Sequence, residues 1–166
     1  MLDYVRKLQT NGRYPLCIWP PHCLLGSSGH NIFPVLFDAL REWEERNFAT
    51  FSIIATSSNL YVEFYSAVKA EVPDPEDPAT ELNTLLVNRL KACDAVLIAG
   101  EPLSFAVANT VRDIANAFGN ADHVKKLVLL RDVSSNVAGF EGLGDTFIDD
   151  LMERGMRVTT TESFRH

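Results

Sequence analysis

Two stretches of the chain are apolar with little or no alternation, AVLIA (95–99) and LVLL within KLVLL (126–130). Their length and their bounding turn residues predict strands buried on both faces. After the first, Gly100 and Pro102 mark a turn, and Val107, Val111, Ile114 and Phe118 then recur at helical spacing. The same patterns predict a short helix over 2–9, closed by Asn11-Gly12. A second helix is predicted over 33–46, with Pro34 in its first turn and Leu36, Leu40 and Trp43 on one face. FATFSIIAT (48–56) reads as a strand, 60–69 as a short helix, and PDPEDP (73–78) as a rigid loop. Thr80 is placed to cap a helix running to about residue 92. GDTFIDDLMERG (144–155) reads as a helix stopped by Gly155, and MRVTTT (156–161) as the last strand. Strands alternating with helices predict an α/β fold, a parallel sheet with helices on both faces in a Rossmann-like three-layer arrangement. Ligands in such sheets bind beyond the carboxyl ends of the strands, which here are 56–59, 100–105 and 132–135.

The 166 residues, 46% hydrophobic and 22% charged, suit one soluble globular domain over 1–166. A net charge of −7 argues against a nucleic-acid or anionic-membrane surface. No apolar run reaches membrane-spanning length, and the first residues lack the apolar centre of a signal peptide. Cys17, Cys23 and Cys93 show neither metal nor disulfide spacing, so a reducing, cytoplasmic compartment is expected.

Four ordered segments carry a resemblance. CIWPPHCLLGSSGHNIFP (17–34) resembles the tryptophan–proline–x–histidine–cysteine stretch of nicotinamidases, and SSNLYVEFYSAVKAEVP (57–73) their tyrosine–serine–alanine stretch. AGEPLSFAVANTVRDIA (99–115) resembles their nucleophile elbow. VSSNVAGFEGLGDTFIDDLMERGM (133–156) resembles the tail of the larger nicotinamidase-like cysteine hydrolases of the isochorismatase-like superfamily. The resemblance covers about residues 12–160 and implies the later part of an isochorismatase-like domain, lacking its first strands.

What the resemblance implies for chemistry is loss. Family members attack an amide with a cysteine, helped by an aspartate base and a lysine. The cysteine position falls on Ala106 and the lysine position on Thr56. The aspartate and the metal-binding Asp-x-His belong to a portion without counterpart here. The histidine often beside the nucleophile is Phe105, and the one expected after Glu63 is Phe64. Neither a methyl group nor a hydroxyl replaces a thiolate and an ammonium, so no catalytic residue is expected to be intact.

The remaining candidates have two readings each. Trp19 matches a tryptophan that stacks on a planar substrate, and with Phe64 and Phe105 it would line a ligand pocket; the favoured reading is that all three fill the core left by vanished polar groups. Glu101, Pro102 and Ser104 belong to the same pocket. The resemblance places a cis peptide at Glu101–Pro102, where proline lowers the penalty from roughly 3 kcal/mol to below about 1 kcal/mol. Ser104 reads as a helix cap, and Asp132 as a loop anchor or a cleft carboxylate. His22 is a lone remnant of a metal set, so no metal or other cofactor is expected. Cys23 reads as a small buried residue or a reactive thiol.

Three functions follow as expectations. The first is a non-catalytic homologue acting by binding or assembly. The second is an amide hydrolase completed by another chain, with Cys23 or Ser104 attacking. The third is a binder that sequesters small planar ligands. The missing first strands leave bare edges at 48–56 and 95–99, with two remedies: strand 48–56 slides beside 95–99 to give a compact four-stranded sheet, or, the favoured expectation, a homo-oligomer or a protein partner completes the sheet.

Overall fold

The computed structural model describes residues 2–14, 16–56 and 59–165. They fall into two compact units, 2–55 and 56–165, within what the sequence reads as one domain.

The first unit holds two helices. α1 (Leu2–Asn11) runs into Gly12 at φ +66°, the left-handed turn that Asn11-Gly12 predicts. α2 (Pro34–Asn47) begins with Pro34 in its first turn and ends at Phe48, which takes φ +50°. The face expected to be buried is open: Leu36 and Trp43 are 55% and 46% exposed, and no residue of α2 is buried. The strand expected over 48–56 does not form. Residues 49–56 are irregular, and Phe51 gives its N–H to the Glu44 carboxylate at 2.9 Å rather than to a ladder. An apolar run becomes a strand only beside another strand, and among the described residues of this unit there is none. Leu8 is the one buried hydrophobic residue described in this unit.

The second unit carries the core. Its first part, 59–83, is turns and bends rather than the helix expected over 60–69. Its backbone donors are taken by distant or side-chain acceptors: Ala67 N–H by Thr110 Oγ1, Val68 N–H by Ser66 Oγ, Ala70 N–H by Thr80 O and Glu71 N–H by Glu63 O. Thr80 does not cap the next helix. It is fully buried in a tight turn, Pro78–Thr80, where its Oγ1 donates to Asp77 O and accepts from Asp74 N. The cap is Asn83, whose Oδ1 accepts from Leu86 N–H at 3.0 Å and opens α3 (Thr84–Ala92).

Three strands follow, β1 (Val96–Ile98), β2 (Leu127–Leu130) and β3 (Arg157–Thr159), parallel and in the order β1-β2-β3. Leu127, Val128 and Leu129 are all buried, and successive side chains point to opposite faces, so both faces of β2 are covered. β1 is less complete: Val96 and Ile98 pack on the main core, whereas Leu97, on the other face, is 46% exposed. Between the strands lie α4 (Ala108–Phe118), the single turn α5 (Ala121–Val124) and α6 (Glu141–Glu153). α6 starts three residues ahead of the expected boundary and is followed by Gly155 at φ +110°. Val107, Val111, Ile114 and Phe118, the stripe read from the sequence, join Leu103, Leu127, Leu129, Phe147 and Leu151 in one core. Arg112 of α4 bridges to α6, lying over the Phe147 ring and bonding Asp150 at 2.9 Å.

Candidate active site

The resemblance puts the chemistry at the carboxyl ends of β1 and β2, and both ends lie in the second unit. Past β1 the chain turns at Gly100, φ +135°, through a cis Glu101–Pro102 bond as expected, and enters the helix by one wide turn, Leu103–Val107. In that turn Val107 N–H reaches back to Pro102 O at 3.1 Å. Past β2, residues 133–137 run alongside. Gly100 N–H donates to Val133 O and Leu103 N–H to Ser135 O, at 3.3 and 2.7 Å. Glu101 and Ser104 extend this lacing with side chains. The Glu101 carboxylate accepts from both the N–H and the Oγ–H of Ser135, with contacts of 2.9 to 3.0 Å. Ser104 is not a cap: its Oγ, fully buried, accepts from Val137 N–H at 3.0 Å. A buried hydroxyl beside an incoming loop is worth more as that loop's acceptor than as a cap on its own helix.

Within this frame Ala106 is exposed, and so is Thr56. Phe105 is partly buried and meets Phe140 edge-on at 5.0 Å between ring centres. Phe64 is partly buried in the same unit; neither phenylalanine belongs to the buried core. Trp19 lies in the first unit, 45% exposed. Ser57 and Ser58, which head the second segment of the resemblance and belong to the expected strand end 56–59, lie outside the described residues.

Asp132 anchors a loop. Its carboxylate accepts from the N–H and Oγ–H of Thr161, tying the end of β2 to the segment after β3, and these bonds hold its carboxyl below the usual range. Ser135 lies in the strand end 132–135 that the sequence marks, whereas Val137 and Phe140 are partners that sequence reasoning missed; the available signal was that the chain just past a buried strand's carboxyl end runs where the ends of a parallel sheet gather.

The first unit holds the histidine and cysteine candidates. His22 is exposed, with Nδ1 2.6 Å from Pro20 O. Among the described residues no group of three His, Cys, Asp or Glu side chains is arranged to hold a metal ion, so the residues present do not fit the family's metal. Cys17, Cys23 and Cys93 are free and exposed. The expectation of a buried Cys23 fails because 16–33 is irregular chain with no core around it; Cys23 takes φ +48°.

No family model matches the chain, and no curated protein sequence matches it. Solved structures do. The yeast nicotinamidase matches with a TM-score of 0.57 at 20% identity, over 85% of this chain and 57% of that one. A nicotinamidase/pyrazinamidase from Acinetobacter baumanii matches with a TM-score of 0.51 at 17% identity, over 87% of this chain and 60% of that one. The pyrazinamidase of Pyrococcus horikoshii, solved in complex with zinc, matches with a TM-score of 0.55 at 18% identity, over 95% of this chain and 81% of that one. The chain thus spans less than two thirds of the yeast and Acinetobacter enzymes. No helix described is long and apolar enough to cross a membrane. On these matches the chain has the fold of the nicotinamidases and pyrazinamidases.

Proposed function

We propose that the chain is a non-catalytic relative of nicotinamidase-like hydrolases that acts by binding or assembly. The observation that carries this reading is the elbow itself. Its turn is intact and closely laced, yet the position of the nucleophile is the methyl group of Ala106. The polar groups around it support the same reading, because they are engaged in structure. Glu101 holds Ser135, and Ser104 holds Val137. Thr56, at the position of the lysine, offers no cation. A covalent route to amide cleavage needs an activated nucleophile, a proton acceptor and a stabilised intermediate acting together.

Purified protein incubated with nicotinamide or pyrazinamide is expected to release no ammonia above the blank. Ala106→Cys alone is expected to restore none, since the base and the lysine are still missing. Turnover by the pure chain that disappears in Cys23→Ala would overturn this reading in favour of a hydrolase using the exposed Cys23 thiol. A raised melting temperature with small planar amides and no turnover would select binding as its mode of action.

A further inference from the structure

Among the described residues the outer edge of β1 pairs with no other strand, and its sequence is self-complementary. Val96 N–H bonds Lys126 O at 2.8 Å and Gly100 N–H bonds Val133 O, so the backbone groups of alternate residues, 96, 98 and 100, face β2. Those of Ala95, Leu97 and Ala99 point the other way. Among the described residues they meet no hydrogen-bond partner. An apolar edge with unpaired N–H and C=O groups is a template for another strand.

We propose that a second copy of this chain pairs with β1 antiparallel across a two-fold axis through Leu97. The inference rests on the assembly reading above and names its partner. The segment 95–99, Ala-Val-Leu-Ile-Ala, reads nearly the same in both directions. A two-fold interface sets a surface against itself, so such a sequence is its own complement. With Leu97 opposite Leu97 of the second copy, Ala95 meets Ala99 and Val96 meets Ile98, so size matches size at every pair. Asp94 falls opposite Gly100, so no like charges oppose. The hydrogen bonding fits the same register. Ala95, Leu97 and Ala99 are the residues with free outward groups, and they are the ones the register places in hydrogen-bonded pairs. The far edge of the sheet is different: β3 carries Arg157 beside Val158, a charge of the kind that discourages strand addition. Pairing at β1 therefore closes as a dimer with a continuous six-stranded sheet rather than growing head to tail.

Sedimentation of the full chain at micromolar concentration is expected to show about twice the 18.5 kDa of one chain. Leu97→Lys, which sets two ammonium groups face to face on the axis, is expected to weaken the dimer at least tenfold while circular dichroism stays unchanged. A second measurement does not depend on that variant folding. Opposed residues in such a pair have Cα atoms about 5.5 Å apart, within disulfide reach. In a Cys17→Ser, Cys23→Ser, Cys93→Ser background, Leu97→Cys is expected to cross-link between chains when diamide is added. The two thiols give up two electrons and two protons, which diamide takes up as the hydrazine. Ala95→Cys is expected not to cross-link, because the register sets it opposite Ala99. A dimer that survives Leu97→Lys, or cross-links equally at 95 and 97, would overturn pairing through β1 while leaving assembly in place. A chain monomeric throughout would overturn both, and neither result bears on the ammonia measurement.

Discussion

At Gly144 helix α6 has no room for a side chain. A Cβ there would stand 2.0 Å from Asn136 Oδ1, whereas at Gly142, two residues earlier in the same helix, it would meet nothing within 4 Å. Gly144→Ala is therefore expected to destabilise the protein by about 1–3 kcal/mol, the usual range for overpacking. Gly142→Ala is expected to stabilise it by about 0.4–1 kcal/mol through lost freedom of the unfolded chain. Denaturant titrations of the two variants measure both. Adding Asn136→Ala to Gly144→Ala is expected to return most of the loss; a loss that persists would place the strain elsewhere. Sequence gave no hint of this contact. Asn136 reads as one more loop residue, and only the fold lays the loop after β2 against α6. Ser104 teaches the same at the elbow: its type and position suit a cap, but its burial against Val137 decides what it accepts.

At the scale of elements, the tie between the ends of β2 and β3 has a pH signature. Asp132 is held below the usual carboxylate range by Thr161, so its contribution to stability is complete above its unfolded value, near pH 4. That contribution is lost as pH falls through the depressed folded value. Asp132→Asn is expected to lower the melting temperature at neutral pH and to converge on the parent protein in acid. A gap between the two that is constant across pH would show that the charge plays no part. The elements best read from sequence are those whose own pattern suffices: β2, continuously apolar and buried on both faces, and α4, whose stripe enters the core. The failures depend on partners. Residues 48–56 carry strand-forming side chains but no neighbouring strand among the described residues of their unit, and within 60–69 Ala67 and Val68 give their N–H groups to the hydroxyls of Thr110 and Ser66 rather than to carbonyls one helical turn back. Hydrophobic periodicity reports what a segment could bury, not what lies beside it.

For the molecule as a whole, the division of buried residues predicts a division of stability. The core lies entirely within 56–165, whereas Leu8 is the one buried hydrophobic residue described in 2–55. Amide exchange is accordingly expected to be slowest in β2 and α4 and to be faster by orders of magnitude across α1 and α2, where backbone bonds are exposed. Equal protection in the two units would show that the helices of the first are held as firmly as the core. The exposed apolar residues of that unit, Ile18, Leu25, Phe33, Val35 and Phe48 among them, are more than 70% open. Sequence placed Leu36, Leu40 and Trp43 on one face of a helix and Phe48 in a strand, because apolar spacing is all that it displays.

The sheet's spatial order is also its chain order, β1 then β2 then β3. On the ribosome each strand after the first emerges to find its neighbour already made, so the sheet grows by addition and no strand is inserted between two others. Of the three described strands β1 is made first, so under the pairing proposed above its edge is offered to a second copy while β2 and β3 are still being made.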